Sequence, residues 1–317
     1  MPAVLDFEKP LIELESKIAE LTSFSEEKGL DLSDEIDNLK RRADELKSSI
    51  FANLTPWQQV QLARHPDRPN TEDYVRMLFE DFLELHGDRC YSDDPAIYGG
   101  IGLFQGTSVT VIGHLKGRDT KENVSRNFGM AHPEGFRKAL RLMEQAEKFR
   151  RPVISFLDTP GAHCGIGAEE RGQSQAIAQN LLRMSVLRIP IIVIVIGEGG
   201  SGGALALGVG NRTLMLEHAI FSVITPEGCA SILWKDAARA REAAEALKLT
   251  AQDLLSLRIV DEVVPEPLGG AHRDPYAAAD LLRKSLARNL ESLKDVPPEE
   301  LVQRRYAKYR NIGSVGG

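Results

Sequence analysis

Gly197-Glu198-Gly199-Gly200-Ser201-Gly202-Gly203 lies between an apolar run and the helix-like Ala204-Leu205-Ala206-Leu207, and its residue types suit three chemistries. Gly197, Gly199 and Gly202 spell G-x-G-x-x-G, and Glu217 follows about twenty residues on, the outline of a dinucleotide site with an acidic ribose partner. Such a site opens on the first strand of its sheet, whereas several strand-like segments precede this one. Gly199, Ser201 and Gly203 spell G-x-S-x-G, a nucleophile elbow that needs an acid and a later histidine. Only His218 and His272 follow Ser201, and neither comes after a strand with an acid in the required order. The third reading needs backbone alone. Glycines at a strand-to-helix turn point N–H groups outward without a Cβ in the way, which makes an oxyanion hole. Its candidate donors are Gly199, Gly200, Gly202 and Gly203. The plain alternative is a helix–sheet contact that requires glycine for packing.

A second loop, Asp158-Thr159-Pro160-Gly161-Ala162, also closes an apolar run, with Gly165 and Gly167 beyond it. Two such loops at the carboxyl ends of neighbouring strands line one crevice, so Gly161 and Ala162 are the candidate substrate contacts. Asp158 has an alternative role as a turn cap. Glu169, Glu170 and Arg171 read as a helix start with a surface ion pair rather than a catalytic cluster. Lys116, Arg118 and Arg126 read as solvated loop charge, with a ligand phosphate as the sharper alternative. His114, His132 and His163 are scattered, and Cys90, Cys164 and Cys229 form no C-x-x-C pair, so no metal is expected in this chain. No Walker-type phosphate loop occurs.

The elements that would position these loops alternate between strand and helix. Apolar segments 97–104 and 107–115 flank Gln105-Gly106 as a strand pair, a helix starts at Pro133-Glu134, and strands run over 152–157 and 189–196. A helix over 168–187 separates those two strands. Further strands lie at 213–217 and 219–224, a helix starts at Pro226, and the chain from 276 onward is helical. That alternation predicts α/β layers with parallel strands. Before them, Leu11, Leu14, Ile18 and Leu21, then Leu32, Ile36, Leu39, Ala43, Leu46 and Ile50, form two helical seams of a hairpin. The basic tail Arg304, Arg305, Lys308 and Arg310 reads as a solvated helix face.

The chain has 317 residues, 42% hydrophobic and 27% charged, with a formal net charge of −7. That composition is globular, and the acidic balance argues against nucleic acid as the main partner. The longest apolar run, Ile191 to Ile196, is far short of a membrane span, and MPAVLDFEKP lacks the pattern of a signal peptide. A reducing, cytoplasmic setting without membrane contact is expected.

Several strings together resemble one family. They are Trp57-Gln58 with Ala63-Arg64-His65-Pro66, Leu85-His86-Gly87-Asp88-Arg89, Arg126-Asn127-Phe128-Gly129-Met130, and the stretch from Pro133 to Met143. The two glycine loops, Ala168-Glu169-Glu170-Arg171-Gly172-Gln173, and the segment from Pro226 to Lys235 complete the set. In order from about residue 5 to residue 274, they resemble the alpha subunits of bacterial acetyl-coenzyme A carboxylase carboxyltransferases. His163-Cys164 departs from the aromatic residue and proline usual there. The resemblance implies a crotonase-like fold, a spiral of strand-strand-helix units, over 56–317, with the helical hairpin over 1–55 and a C-terminal helical tail.

It also implies transfer of a carboxyl group from carboxybiotin to acetyl-CoA, giving malonyl-CoA for fatty acid synthesis. The biotin would be carried by the biotin carboxyl carrier protein and charged by biotin carboxylase. A zinc-bearing beta subunit would join this chain in an alpha2beta2 assembly. By the same resemblance the Gly199–Gly203 loop serves the ureido oxygen of biotin, the beta subunit serves the thioester, and biotin itself provides the base. Two rivals remain at this point. One is a non-catalytic scaffold, and the other is a hydrolase or isomerase of the same fold with Glu198 as its acid.

Overall fold

The structure is a computed structural model and describes residues 4–313. The two seams form helices α1 (Lys9–Lys28) and α2 (Ser33–Ala52), which reverse at Gly29, a left-handed cap with φ 62°. Leu11, Ile36 and Ala43 are their buried residues. Helices α3 (Pro56–Ala63) and α4 (Thr71–Leu78) each start on a capping box, Thr55 with Gln58 and Asn70 with Asp73. In helices this short, reciprocal caps satisfy N–H groups that apolar periodicity cannot reveal.

Strands β1 (Glu80–Glu84), β2 (Ile97–Phe104) and β3 (Thr107–His114) form an antiparallel meander. The predicted turn is present: Gln105 and Gly106 take φ 48° and 78°, as a tight hairpin with matching twist requires. Helices α5 (Thr120–Ser125) and α6 (Pro133–Lys148) follow, and α6 buries Phe136, Ala139, Leu142, Met143 and Ala146. Strand β4 (Val153–Thr159), helices α7 (Ile166–Glu170) and α8 (Gln173–Val186), strand β5 (Ile191–Gly200) and helix α9 (Ser201–Leu205) carry both glycine loops. The single helix expected over 168–187 is thus broken, because Gly172 adopts φ 82° between α7 and α8.

Strands β6 (Arg212–Leu216) and β7 (Ile220–Ser222), helices α10 (Pro226–Trp234), α11 (Ala240–Leu247) and α12 (Ala251–Ser256), and strand β8 (Glu262–Val264) complete the body. Helices α13 (Pro275–Lys294) and α14 (Pro298–Asn311) end it. The sheet order is β1-β2-β3-β4-β5-β6-β8, parallel from β3 onward, with β7 paired to the far end of β5. Every residue of β4 and β5 is buried, which is why both read as unbroken apolar runs rather than alternating ones. Among the described residues, no helix is long and apolar enough to cross a membrane.

The basic tail is not a solvated face. Arg304 is exposed, but Arg305 is 1% exposed. Its guanidinium donates to the carbonyls of Met184, Leu187 and Ile189 and to Asn211 Oδ1, at 2.6–2.9 Å. It thereby caps the carboxyl end of α8. Among the described residues no carboxylate pairs with it, and burial pushes its pKa down to about 10. Lys308 pairs with Asp261 at 2.5 Å. Arg305→Met would leave those carbonyls buried and unpaired, at an expected cost of ~2–4 kcal/mol. A lowered urea midpoint with unchanged slope would register it, and an unchanged midpoint would refute the capping role.

Candidate active site

Strands β4 and β5 lie side by side, so their carboxyl ends bring the two glycine loops together, with Thr159 paired to Gly199. Strand β5 does not stop at the glycines as expected. It continues to Gly200 because β7 pairs with Glu198, Gly199 and Gly200. The chain turns at Ser201, an exposed residue held at φ 53°, and α9 starts there.

The glycines differ in why they are glycines. A Cβ on Gly200 would come closer than 3.0 Å to the Pro160 carbonyl, and one on Gly203 would do the same to the backbone of Gly161 and Ala162. A Cβ on Gly199 would run into the Phe221 ring, and one on Gly197 into the Asp158 carboxylate. Gly197, Gly200 and Gly203 let β5 and α9 close against the first loop, and Gly199 admits the Phe221 ring of β7, so packing requires glycine at all four. Gly202 and Gly161 are different. A Cβ on Gly202 would meet only Ile177 Cδ1 at 3.8 Å, and one on Gly161 only Ser201 Cβ at 3.8 Å. Neither has positive φ, so the fold of this chain does not require glycine at either position.

Among the described residues, the N–H groups of Gly202 and Gly203, in the first turn of α9, and of Ala162 make no turn, loop or cap hydrogen bond to the backbone. The opening N–H groups of a helix have no acceptor within it. His114 supports the turn from beneath, its Nε2–H donating to the Gly203 carbonyl at 3.2 Å. Burial lowers the His114 pKa to about 4, which keeps the ring neutral. The two histidines after Ser201 are engaged elsewhere, His218 with Gln59 at 3.0 Å and His272 with Glu8 at 3.2 Å, so the nucleophile-elbow pattern lacks its base. The dinucleotide pattern also loses its acid, because Glu217 accepts the N–H of Glu266 at 3.0 Å.

The charges at the root of the loops were not legible in the sequence. Lys116, expected as solvated loop charge, is a correction: its Nζ bridges Asp158 Oδ1 at 2.8 Å and Glu198 Oε2 at 2.7 Å. Arg64 Nε meets Glu198 Oε1 at 2.6 Å, and its other nitrogens meet Glu227. Asp158 Oδ1 also accepts the Glu198 N–H at 3.0 Å, so it is a strand-to-strand tie rather than a turn cap. Burial alone would raise the Glu198 pKa, but Lys116 and Arg64 outweigh it and hold it at about 2. So weak a base neither accepts nor delivers a proton near neutral pH, which removes the one acid that an isomerase or hydrolase reading offered. A cleft of about 320 Å³ opens beside this cluster, lined in part by Arg64, Lys116, Phe128, Pro160 and Glu198.

The remaining candidates are structural. Arg171 pairs with Glu134 at 2.9 Å and stacks on Tyr91, while Glu169 and Glu170 are exposed. Arg118 pairs with Asp73, and Arg126 reaches the Pro95 carbonyl. Cys90 and Cys164 are exposed and Cys229 is buried, none of them paired. Glu8, His65 and His272 converge with possible ligand atoms within 4.8 Å, an association that sequence spacing could not show. Arg273 already neutralises that carboxylate at 3.2 Å, so the cluster ties the N-terminal segment to the loop before α13.

A family model described as acetyl co-enzyme A carboxylase carboxyltransferase-like matches residues 4–313. The acetyl-coenzyme A carboxylase carboxyl transferase subunit alpha of Heliobacterium modesticaldum is 63% identical over 99% of this chain and 93% of its own length. That of Carboxydothermus hydrogenoformans is 58% identical over 98% and 96%. Among solved structures, a transcarboxylase 12S aligns with TM-score 0.58 and 20% identity over 72% of this chain and 42% of its own. A Pseudomonas malonate decarboxylase heterodimer aligns with TM-score 0.56 and 20% identity over 68% of this chain and 89% of its own. These likenesses show the fold, which is the crotonase-like one.

Proposed function

The chain belongs to the family of acetyl-coenzyme A carboxylase carboxyltransferase alpha subunits, and from that premise we propose that its two glycine loops are the backbone oxyanion site for biotin. Carboxybiotin, when bound, supplies the carboxyl group and gathers negative charge on its ureido oxygen as that group leaves. This chain answers that charge with fixed N–H donors. Those of Gly202 and Gly203 on the turn, with Ala162 opposite, point their partial positive charge at one oxygen. Gly199 and Gly200 set the backbone course of the turn, and Gly161 keeps its far wall low. A well-placed donor of this kind contributes ~2.7–4 kcal/mol to the transition state. No side-chain base is needed from this chain, in keeping with Glu198 held ionised by two cations.

The carrying observation is Gly202. A glycine that its own fold does not require, beside N–H groups with no turn or loop carbonyl to bond, fits a group arriving from outside. The carboxyl donor is biotin on the biotin carboxyl carrier protein, recharged by biotin carboxylase, and the acceptor is acetyl-CoA, giving malonyl-CoA in the cytoplasm. The thioester half of the site belongs to a zinc-bearing beta subunit in an alpha2beta2 assembly. Ile166, Leu182 and Leu205, on the three helices nearest the glycine turn, are 80%, 67% and 42% exposed and offer apolar surface to that subunit. Mixing the chain with the beta subunit, free biotin and malonyl-CoA should release carbon dioxide and acetyl-CoA, while the chain alone should not. Full activity from the chain alone would overturn the shared site.

A further inference from the structure

We infer that Lys116 is a positioning residue for carboxyl transfer: its ammonium fixes the separation of the two glycine loops and so the aim of their N–H groups. The inference rests on the assignment of those loops as the oxyanion site. Lys116 reaches Asp158, the first residue of one loop, and Glu198, the second residue of the other, and its side chain is only 20% exposed. The β-ladder does this work only in part. Strands β4 and β5 pair regularly from Val153↔Ile191 to Leu157↔Val195, and the register then shifts before Thr159↔Gly199. Where the backbone pairing slips, the tie passes to side chains: Lys116 Nζ holds both carboxylates, and Asp158 also takes the Glu198 N–H.

The Arg126–Met130 segment adds a second constraint. Asn127, Phe128 and Gly129 have successive positive φ values of 46°, 55° and 75°, a course that only enforcing surroundings maintain. It lays Gly129 against the Lys116 stem so closely that a Cβ would sit 3.0 Å from Lys116 Cγ and from the Asp158 carbonyl. The cluster has no surplus positive charge to hold an anionic substrate, because Lys116 and Arg64 face Asp158, Glu198 and Glu227. Its contribution is geometric. Misplacement of a reacting group by about 1 Å costs on the order of 100-fold in rate.

The test uses the assembled alpha–beta complex with biotin and malonyl-CoA. Lys116→Met should lower kcat on the order of 10- to 100-fold with KM for malonyl-CoA unchanged, and Lys116→Arg should recover part of the loss. A purely structural role would lower yield or Tm without separating kcat from KM. Since Lys116→Met leaves Asp158 without a cation, Lys116→Met/Asp158→Asn is measured beside it and should assemble with an equally low kcat. Wild-type kcat in either assembled variant overturns the inference. So does failure of both to assemble while Lys116→Arg is fully active, because Lys116 would then serve folding alone. Gly202→Val in the same complex separates the two levels. If it stays active, the loop assignment falls; if it is inactive while Lys116→Met is fully active, only the role of Lys116 falls.

Discussion

Gly202→Val should leave the chain folded and bound to its beta subunit yet lower turnover by about 10²–10³, the usual loss for one oxyanion donor. The space around Gly202 makes the test selective. A Cβ there would meet only Ile177 Cδ1, at 3.8 Å, so the free chain leaves space at the branch point. An arriving ureido oxygen does not, because the branched Cβ would stand over the donors. Gly200→Val gives no such separation, since its Cβ would drive into the Pro160 carbonyl and push the two loops apart in the free chain. Ser201→Ala should keep most activity. The histidines that follow it bond Gln59 and Glu8 instead, and alanine at φ 53° carries a strain similar to that of serine. Turnover, circular dichroism and co-purification with the beta subunit, measured on all three, decide the matter. A folded but inactive Ser201→Ala beside a fully active Gly202→Val would restore the nucleophile elbow.

Glu266→Gln should be the most destabilising of these exchanges, at ~3–5 kcal/mol, the cost of stranding one member of a buried ion pair. Glu266 and Arg68 meet through two bonds of 2.5 and 2.9 Å, with side chains 0% and 3% exposed. The carboxylate also accepts the N–H groups of His218 and Ala271, while Arg68 Nε donates to the Ile196 carbonyl on β5. Removing the negative charge leaves the guanidinium buried without compensation near the strand that carries the glycines. For a chain of this length, such a loss lowers Tm by roughly 4–8 °C.

The pH dependence has a definite sign. Burial pushes the Glu266 pKa up, but Arg68 and then His218 outweigh it and hold it at about 2, below the ordinary 4.5. Its stabilisation is therefore complete above about pH 5 and fades as pH falls toward 2. Glu266→Gln should flatten that part of the stability–pH curve. An equal acid dependence in both proteins, or a Tm within a degree of wild type, would show that the pair is not the buried anchor described.

The sequence alone determined much of the framework. The helical seams, the Gln105-Gly106 hairpin, the paired glycine loops and the α/β alternation were legible because each rests on local periodicity or turn chemistry. Long ordered strings also identified the family, and with it the reaction. Side-chain partners were not legible. Lys116 looked like any loop lysine, because Asp158 and Glu198 reach it only when β3, β4 and β5 align. Arg305 looked like one of several surface cations, because the carbonyls it caps lie more than a hundred residues earlier in the chain. The glycine cluster shows the division most clearly. Composition marked all of its members alike, but only the tertiary packing separated Gly200 and Gly203, which the first loop's backbone requires, from Gly202 beside open space. Spacing along a chain encodes local backbone geometry, whereas what a missing Cβ would strike is decided by whatever distant backbone the fold brings against it.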